Sequence, residues 1–366
     1  MKKLISLFIS LAFAGSTFAQ MSGYSTSQSN GTTLGANETL TADGIALGNA
    51  VKLRGYVDLR LQRHDSDDDA EDKTHTSADL DFLVDLSPVT AEIHLNASGL
   101  NADNGEDDVD LLEQAFGRYS FNQDFHLTFG RQVTSLGFDS DEATGRYAVS
   151  TAYMMSRKDY VDGLRVNYNN GMFGLVLGLH DHYGIFKSGA RYLDAIPTND
   201  DELDDGIAID IAASVVFFPG LEARLGYANE NGGKSAPLLD ENGVQVIDLG
   251  NGDDDSHQIN GWLAWNPGDL TLAIEFDNFQ YSDVYEAWDL MLMANYQFSE
   301  FIAATLRYSH LDLEVKNVGD AEFDRITLAL LFSITENFDL NVEYSHTSAD
   351  DDDDLNEFYL QGLIHF

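Results

Sequence analysis

The sequence contains no cysteine in its 366 residues. This absence excludes a disulfide framework and any metal site built on thiolates. Basic residues are also scarce: 20 lysines and arginines stand against 62 acidic residues, for a formal net charge of -42. Because nucleic-acid binding requires basic surface against the phosphates, we do not expect this chain to bind nucleic acid. We still expect an ordered fold, since 43% of the residues are hydrophobic, too many for a disordered acidic polymer.

Long hydrophobic runs are missing beyond the first residues of the chain. Residues 1–19 begin with Lys2-Lys3, continue through an apolar stretch from Leu4 to Ala14 and end with small residues around Ala19, the pattern of a cleaved secretory signal peptide. After them, no stretch has the roughly 18 consecutive apolar residues of a transmembrane helix. If this exported chain enters a membrane, it must do so with strands.

A repeated unit fills most of the remaining sequence. Each unit has a short turn rich in Asn, Gly, Pro or Asp, followed by a segment that alternates apolar with polar residues, such as LTLAIEFDNF and FDLNVEYSHT. Period-two alternation over this length predicts a half-buried strand. The predicted strands lie near 51–64, 76–87, 89–98, 108–121, 124–132, 159–169, 172–182, 205–217, 220–230, 256–266, 269–281, 285–298, 301–313, 320–333, 337–347 and 355–366.

The connections between these strands alternate in character. Those after even-numbered strands are tight, such as NNG and PG, whereas those after odd-numbered strands are mostly longer and acidic, such as PTNDDELDD and NGDDDS. A closed antiparallel barrel with short periplasmic turns and long external loops produces this alternation. The sequence therefore predicts an all-β fold, a transmembrane antiparallel β-barrel of about 16 strands.

The composition of the two strand faces separates a membrane barrel from a soluble one. In the first strand Val57, Leu59 and Leu61 share one face, and Asp58 and Arg60 lie on the other. Because charge buried in a dry core is costly, the charged face fits a water-filled lumen and the apolar face fits lipid. A soluble β-sandwich or propeller is the alternative.

The last strand and the aromatic residues beside the short turns carry further membrane signals. The last strand ends in EFYLQGLIHF, and alternating apolar residues that finish in a C-terminal Phe366 resemble the sorting signal of bacterial outer-membrane proteins. The alternative is merely a final amphipathic strand. Aromatic residues beside the short turns fit a girdle at the membrane interface; they are Tyr168, Phe217, Phe218, Trp265, Tyr296 and Phe298.

A longer stretch of sequence resembles a known family. QAFGRYSFNQDFHLTFGRQVTSLGFD, followed by RKDYVDGLRVNYNNGMFGLVLGLH, is similar to the general-diffusion porins of Gram-negative bacteria. In that family a strand ending in Gly-Arg-Gln enters a long third loop. The resemblance implies an outer-membrane barrel of 16 strands, commonly a homotrimer, whose third loop folds inward and narrows the pore.

The same resemblance implies a charged pore constriction. Its acidic side would consist of Asp139, Asp141 and Glu142, and its basic residues would be Arg54, Arg60, Arg118 and Arg165 on the wall with Arg131 at the root of the loop. Opposed charges create a transverse field that orients dipolar solutes and excludes apolar ones. The alternative is that these acids are ordinary solvated loop charges.

The domain organisation that follows has three parts. Residues 1–19 form the signal peptide, residues 20–50 a flexible segment or plug, and residues 51–366 the barrel. A Ser/Thr/Gly/Asn-rich piece before the first strand departs from the porin pattern. The expected partners are outer-membrane lipid and lipopolysaccharide, small hydrophilic solutes and ions, and two further copies of the chain.

We expect a passive porin that prefers cations, with no catalytic residue and no cofactor. One alternative is a channel specific for sugars or oligosaccharides, for which Tyr56, Trp262 and Tyr359 lie on polar faces. Another is a structural or adhesive barrel whose lumen is blocked by residues 20–50. A barrel enzyme would need a nucleophile beside a histidine; Ser309-His310 and Ser345-His346 are the available pairs, but neighbours on a strand point to opposite faces.

Metal binding is an open possibility at the acidic external loops. The runs at 65–72, 253–255 and 350–354 offer carboxylates for Ca²⁺ or Mg²⁺, but none has the spacing of a defined calcium loop. His180 and His182 could present two imidazoles on one face of a strand. Solvated acidic surface and an interfacial histidine are the alternatives.

Overall fold

The computed structural model describes residues 44–66, 70–97, 111–152, 160–182, 206–232, 238–239, 245–247, 255–281, 285–315, 319–349 and 354–366. Sixteen long antiparallel strands close into a barrel. They are β1 (Val51–Ser66), β2 (Ala70–Asp85), β3 (Val89–Asn96), β4 (Leu112–Ser120), β5 (Phe125–Val133), β6 (Tyr160–Asn169), β7 (Phe173–His180), β8 (Gly206–Phe218), β9 (Leu221–Gly232), β10 (Ser256–Trp265), β11 (Leu270–Tyr281), β12 (Tyr285–Ser299), β13 (Ile302–Val315), β14 (Gly319–Thr335), β15 (Phe338–Ala349) and β16 (Leu355–His365).

The barrel closes between its last and first strands. Each strand pairs with its neighbours in sequence, and β16 pairs with β1 with His365 opposite Tyr56. Gly55 and the terminal Phe366 then exchange two backbone hydrogen bonds of 3.0 Å. Because closure leaves no free sheet edge, every spanning strand satisfies its backbone groups within the protein, as a membrane requires. The predicted fold class is confirmed.

The side chains alternate between an apolar outer face and a polar interior. Leu59, Leu177 and Ile274 are 47%, 45% and 41% exposed, whereas Asp58 and Glu275 are 1% and 0% exposed. A soluble barrel would bury the leucines and expose the acids. The predicted assignment of faces is therefore confirmed, and the interior of this barrel is built mainly from charged and polar side chains.

The barrel rim with the short turns carries the aromatic residues. Pro219-Gly220 alone joins β8 to β9, and Gly220 has a φ of 86°, in the left-handed region that glycine tolerates. The predicted girdle residues all expose more than a third of their surface; they are Tyr168, Phe217, Phe218, Trp265, Tyr296 and Phe298. Rings that are apolar with polar edges suit the membrane interface.

The acidic run at 65–72 departs from its predicted loop structure. Strand β1 continues to Ser66 and β2 resumes at Ala70, six residues before the predicted start at 76. The Arg63 guanidinium lies 3.2 Å from the Asp72 carboxylate across this hairpin, in an exposed pair. Backbone pairing therefore extends through residues whose polarity marks a loop, because charged side chains are tolerated on both faces where strands protrude into water.

The barrel begins at Val51, where the sequence places the first strand. Before it, Ile45 and Ala46 pair with Leu53 and Lys52 at the start of β1. The pairing of β1 with β16 begins further along, at Tyr56. Residues 44–49 are exposed, so this part of the segment is not packed in the lumen. The predicted signal peptide and the rest of the predicted plug lie outside the described residues. Among the residues described, no helix is long and apolar enough to span a membrane.

Candidate pore constriction

The connection after β5 lies against the inner wall of the barrel. At its root Gly130 has a φ of 114°, and a Cβ there would lie 2.3 Å from the Ala115 carbonyl oxygen. The chain then enters residues 134–152, which we call the interior loop. Most of this loop is buried, although a loop outside the barrel would be solvated.

Apolar side chains anchor the first half of the interior loop. Phe138 is 1% exposed and packs edge-to-face on Trp262, with ring centroids 5.5 Å apart. Met291 and Met293 complete the contact from β12, and the Phe138 amide donates a 2.6 Å hydrogen bond to Glu275. An aromatic residue among acids is unusual in a solvated loop, and here it fills an apolar pocket in a polar wall.

Charged side chains of the opposite wall anchor the second half of the loop. Glu343 accepts hydrogen bonds from the Val149 amide at 2.6 Å and from the Ser150 amide at 3.0 Å. Arg307 donates to the carbonyl oxygens of Ser150 and Thr151 at 3.2 and 2.7 Å. Because β13 and β15 hold the loop through buried charged groups, the loop is attached to the far side of the barrel from its root.

An interior cavity of about 430 Å³ remains between the loop and the wall formed by β1, β2 and β16. Asp139, Asp141 and Arg146 line it from the loop, and Asp58 and Arg60 line it from the wall. Charges of both signs therefore face each other across this space. Opposed charges around a confined polar space of this kind focus the electric field within it.

Three of the eight predicted constriction residues lie in this cavity: Asp139, Asp141 and Arg60. Asp139 is held by the Ala152 amide at 2.5 Å and by Arg307 at 3.4 Å. Asp141 has no hydrogen-bond partner on either carboxylate oxygen. Among the described residues, Asp141 therefore carries a carboxylate charge that no hydrogen-bond donor compensates.

The other predicted arginines are placed away from the cavity. Arg54 lies 2.8 Å from Asp81, and Arg118 lies 3.6 Å from Glu92, so both are held within the wall. Arg165 donates a 2.9 Å hydrogen bond to the Val133 carbonyl oxygen and supports the root of the loop.

Arg131 is likewise separate from the proposed constriction. Its guanidinium forms a 3.1 Å ion pair with Asp162, whose side chain is half exposed. The Gly-Arg-Gln pattern does mark the start of the interior loop, but strand alternation turns this arginine away from the loop that it precedes.

Glu142 is buried against the wall rather than exposed in the cavity. It is 2% exposed, and its Oε1 lies 3.8 Å from Nδ1 of His94. Burial raises the pKa of the Glu142 carboxyl to about 7; the neighbouring His94 lowers it, and the charges of Asp141 and Asp81 raise it. A group so placed holds the loop against β2 and β3 and does not meet solutes directly.

Several functional residues were not singled out from the sequence. Arg307 and Arg224 hold the loop, the latter by a 2.8 Å hydrogen bond to the Ser135 carbonyl oxygen. Arg146, on the loop itself, donates to the carbonyl oxygen of Asp141 at 2.5 Å. The signal was present, because period two places both strand arginines on polar faces, but it does not say which loop they meet.

The serine–histidine pairs do not form dyads. Ser309 is buried on the inner face, whereas His310 points outward, with its Nδ1 3.0 Å from Asp324. Ser345 is likewise buried and hydrogen bonds to Thr327. Strand alternation separates the members of each pair, as the sequence predicts.

His180, the last residue of β7, and His182, two residues later, contact different acidic side chains. Nε2 of His180 lies 2.6 Å from Asp210, and Nδ1 of His182 lies 3.0 Å from Asp181. Neither belongs to a group of possible metal ligands among the described residues.

A closed barrel with an apolar outer face, a polar interior and a loop docked inside defines a porin-type protein of the Gram-negative outer membrane. More particularly, the chain belongs to the family described as "Putative beta-barrel porin-2, OmpL-like", which matches residues 72–361. The resemblance to porins is thereby confirmed at the level of the family. No protein with curated function matches it in sequence.

Solved structures of outer-membrane proteins share the fold. DcaP, an outer-membrane channel of Acinetobacter baumannii, has a TM-score of 0.62 at 13% identity, over 88% of this chain and 99% of that one. In-vitro folded OmpT of Vibrio cholerae has a TM-score of 0.61 at 12% identity, over 88% and 100%. An anion-selective porin from Comamonas acidovorans has a TM-score of 0.60 at 14% identity, over 87% and 99%. At such identities these structures are evidence for the fold alone.

Proposed function

We propose that this porin is a passive diffusion channel for small hydrophilic solutes and that it prefers cations. The observation that carries the proposal is the charge around the interior cavity. Among the residues that the structure describes, four carboxylates line it against two guanidiniums. They are Asp58, Glu113, Asp139 and Asp141, against Arg60 and Arg146.

The pairing of these groups sharpens the argument. Arg60 lies 3.1 Å from Asp58 on its own strand, so these two charges largely cancel. Asp139 is neutralised in part by Arg307. Asp141 has no hydrogen-bond partner, and the negative potential that it contributes favours cations over anions. The fold does not decide the sign, since one porin with this fold is described as anion-selective.

Planar-bilayer recording tests the proposal. A salt gradient across a membrane that holds the folded protein should give stepwise conductance and a zero-current potential of the sign for cation preference. Asp141→Asn should reduce that potential, whereas Asp320→Asn, at an exposed position on β14, should not. An absence of steps or an anion-selective potential would contradict the proposal.

A substrate-specific sugar channel is the second candidate. Tyr56, Tyr160 and Tyr359 all line the cavity, and Gln62 adds an amide beside them. Aromatic faces and amides are the groups that hold sugar rings. Trp262 does not contribute, because it packs on Phe138. Addition of sugars during conductance recording separates the candidates, since a specific channel is blocked at concentrations that leave a general one unchanged.

We further propose that the channel assembles as a homotrimer in outer-membrane lipid and lipopolysaccharide. The support is the porin family, together with a structure of Vibrio cholerae OmpT described as a trimer form. Cross-linking of the protein in outer-membrane vesicles should give a band at three times the chain mass, and a monomer alone would count against the assembly.

A further inference from the structure

A cluster of three carboxylates lies beside the interior loop, on the side away from Arg307. Asp79 of β2, Glu113 of β4 and Glu142 of the loop each place one oxygen within 4.8 Å of the other two. We call these three residues the acidic cluster. The sequence separates its members widely, and only the barrel and the docked loop bring them together.

Four oxygens of the acidic cluster have no hydrogen-bond donor among the described residues. Asp79 is 2% exposed, and both of its carboxylate oxygens belong to this set. Oε1 of Glu142 and Oε2 of Glu113 are in the same condition. A buried carboxylate without donors or counter-charge is strongly disfavoured, and neighbouring carboxylates add their mutual repulsion. Such an arrangement requires a positively charged species among the oxygens.

Neighbouring basic side chains are engaged with other acids. Arg54 lies 2.8 Å from Asp81, and Nε2 of His94 lies 3.2 Å from Glu92. The nearest contact of a basic group to the cluster is the 3.8 Å separation between His94 and Glu142. These ion pairs form a layer next to the acidic cluster and leave its oxygens directed at one another.

A local irregularity of β4 aims Glu113 into the cluster. In the pairing of β3 with β4, His94 lies opposite Gln114 and Leu95 lies opposite Leu112, so Glu113 is the extra residue of a β-bulge. A bulge re-aims a side chain out of strict alternation, and bulges often occur next to functional sites. Without the bulge, Glu113 would lie on the same face of β4 as Ala115 and Gly117 and would point outward.

We propose that Asp79, Glu113 and Glu142 bind one Ca²⁺ ion inside the barrel. Ca²⁺ takes carboxylate oxygens at 2.3–2.6 Å, so two ligands on opposite sides of one ion lie at most about 5 Å apart, in agreement with the spacing of the cluster. All three ligands are hard oxygens, which excludes a preference for soft metals. Ca²⁺ fits better than Mg²⁺, which demands near-ideal octahedral geometry.

The ion would attach the interior loop to the wall. Two ligands belong to strands, and the third belongs to the loop one residue before its short 3₁₀ turn at Ala143–Gly145. On the other side of the loop Arg307 and Glu343 provide the attachment. The inference goes beyond solute passage and does not depend on it, because binding is measured on the protein itself.

The competing occupant is a proton. Asp79 lies within hydrogen-bonding reach of Asp81 and Glu113, so shared protons are a second way to relieve the repulsion. A proton-sharing cluster binds no divalent cation at neutral pH, whereas a Ca²⁺ site binds one ion per chain.

Tyrosine-sensitised Tb³⁺ emission, with displacement by Ca²⁺, tests the proposal on the full folded chain after chelator treatment. The Tyr160 hydroxyl hydrogen bonds to Glu113, so a bound Tb³⁺ would lie next to an excited ring. We expect one saturable site per chain. Loss of a ligand in Glu113→Gln or Glu142→Gln should weaken Ca²⁺ binding by about 10- to 100-fold or more.

The controls locate the ion. Asp320→Asn with Glu322→Gln removes exposed acids of β14 and should leave the affinity unchanged. Tyr160→Phe keeps every carboxylate and removes a ring next to Glu113, so it should lower the emission, and it serves even if the carboxylate variants fail to fold. Absence of saturable binding, or unchanged affinity in the folded Glu142→Gln protein, would overturn the proposal.

Discussion

Replacement of Arg307 by methionine should release the interior loop while leaving the barrel intact. The guanidinium donates to two loop carbonyl oxygens and to the Ser150 hydroxyl at 2.9 Å, and it pairs with Asp139. Methionine keeps most of the side-chain length but supplies none of these donors. The backbone pairing of β13 with β12 and β14 does not involve this side chain.

The loss of docking free energy in Arg307→Met can be estimated from the burial of this side chain. Arg307 is 2% exposed, so its contacts are poorly screened by water. Removal of one partner from a buried charged pair costs about 3–5 kcal/mol, because the remaining groups lose their donors without regaining solvent. Since 1.4 kcal/mol is a factor of ten, the undocked population of the loop should rise by about 100-fold or more.

A single engineered cysteine reports that population. The natural chain has no cysteine, so a thiol reagent reads only the introduced site. Val149 is 1% exposed, and its amide is held by Glu343. In Val149→Cys the thiol should react slowly with a membrane-impermeant reagent, and in the Arg307→Met background it should react about 100-fold faster if reaction requires undocking.

A matched control removes an arginine that does not contact the interior loop. Arg63→Met removes an arginine from an exposed pair with Asp72 and should leave the labelling rate unchanged, since exposed pairs contribute little. Electrophoretic mobility before and after heating checks that each barrel is folded. Equal labelling rates in folded Val149→Cys proteins with and without Arg307 would refute the view that this arginine holds the loop.

Further changes test the packing and the closure of the barrel. Phe138→Ala empties the pocket beside Trp262 and should cost about 3–5 kcal/mol of docking energy, read as faster labelling of the same engineered cysteine; an unchanged rate would contradict it. Gly226→Ala places a Cβ against Cδ2 of Leu136, so the buried Leu136 side chain must shift and labelling should become faster; Leu136→Ala in the same chain should restore slow labelling, and failure to do so would locate the strain elsewhere. Phe366→Ala should lower the amount of protein found in outer-membrane fractions, and wild-type amounts would argue against a terminal sorting signal.

The barrel was predictable because its two rules act locally. Alternation decides which side chains meet lipid, and the turn residues decide where a strand ends. Asp58 and Leu59 show the first rule, with 1% and 47% exposure on adjacent residues. Polar composition gave the wrong strand ends at 65–72. The acidic residues suggested a loop there, although strand pairing continues, because strands in water need no apolar face.

The constriction was predictable only in part, since it depends on contacts between distant segments. The porin resemblance identified the loop, and period two identified arginines that point inward. Neither shows that Arg60 faces the loop across a cavity while Arg54 is held by Asp81, its cross-strand partner on β2. Pairing among inward charges is decided by the register of strands that are remote in the chain.

Glu113 shows the limit of the alternation rule most sharply. Period two assigns it to the face opposite Gln114, and a bulge against His94 and Leu95 places it beside Asp79 and Glu142 instead. A bulge adds one residue and changes no composition, so the sequence carries no signal of it. The bulge interrupts the pairing of β3 with β4, and what the displaced carboxylate holds would offset that local cost. A bound cation would supply that compensation, and it would lie among the carboxylate oxygens of Asp79, Glu113 and Glu142.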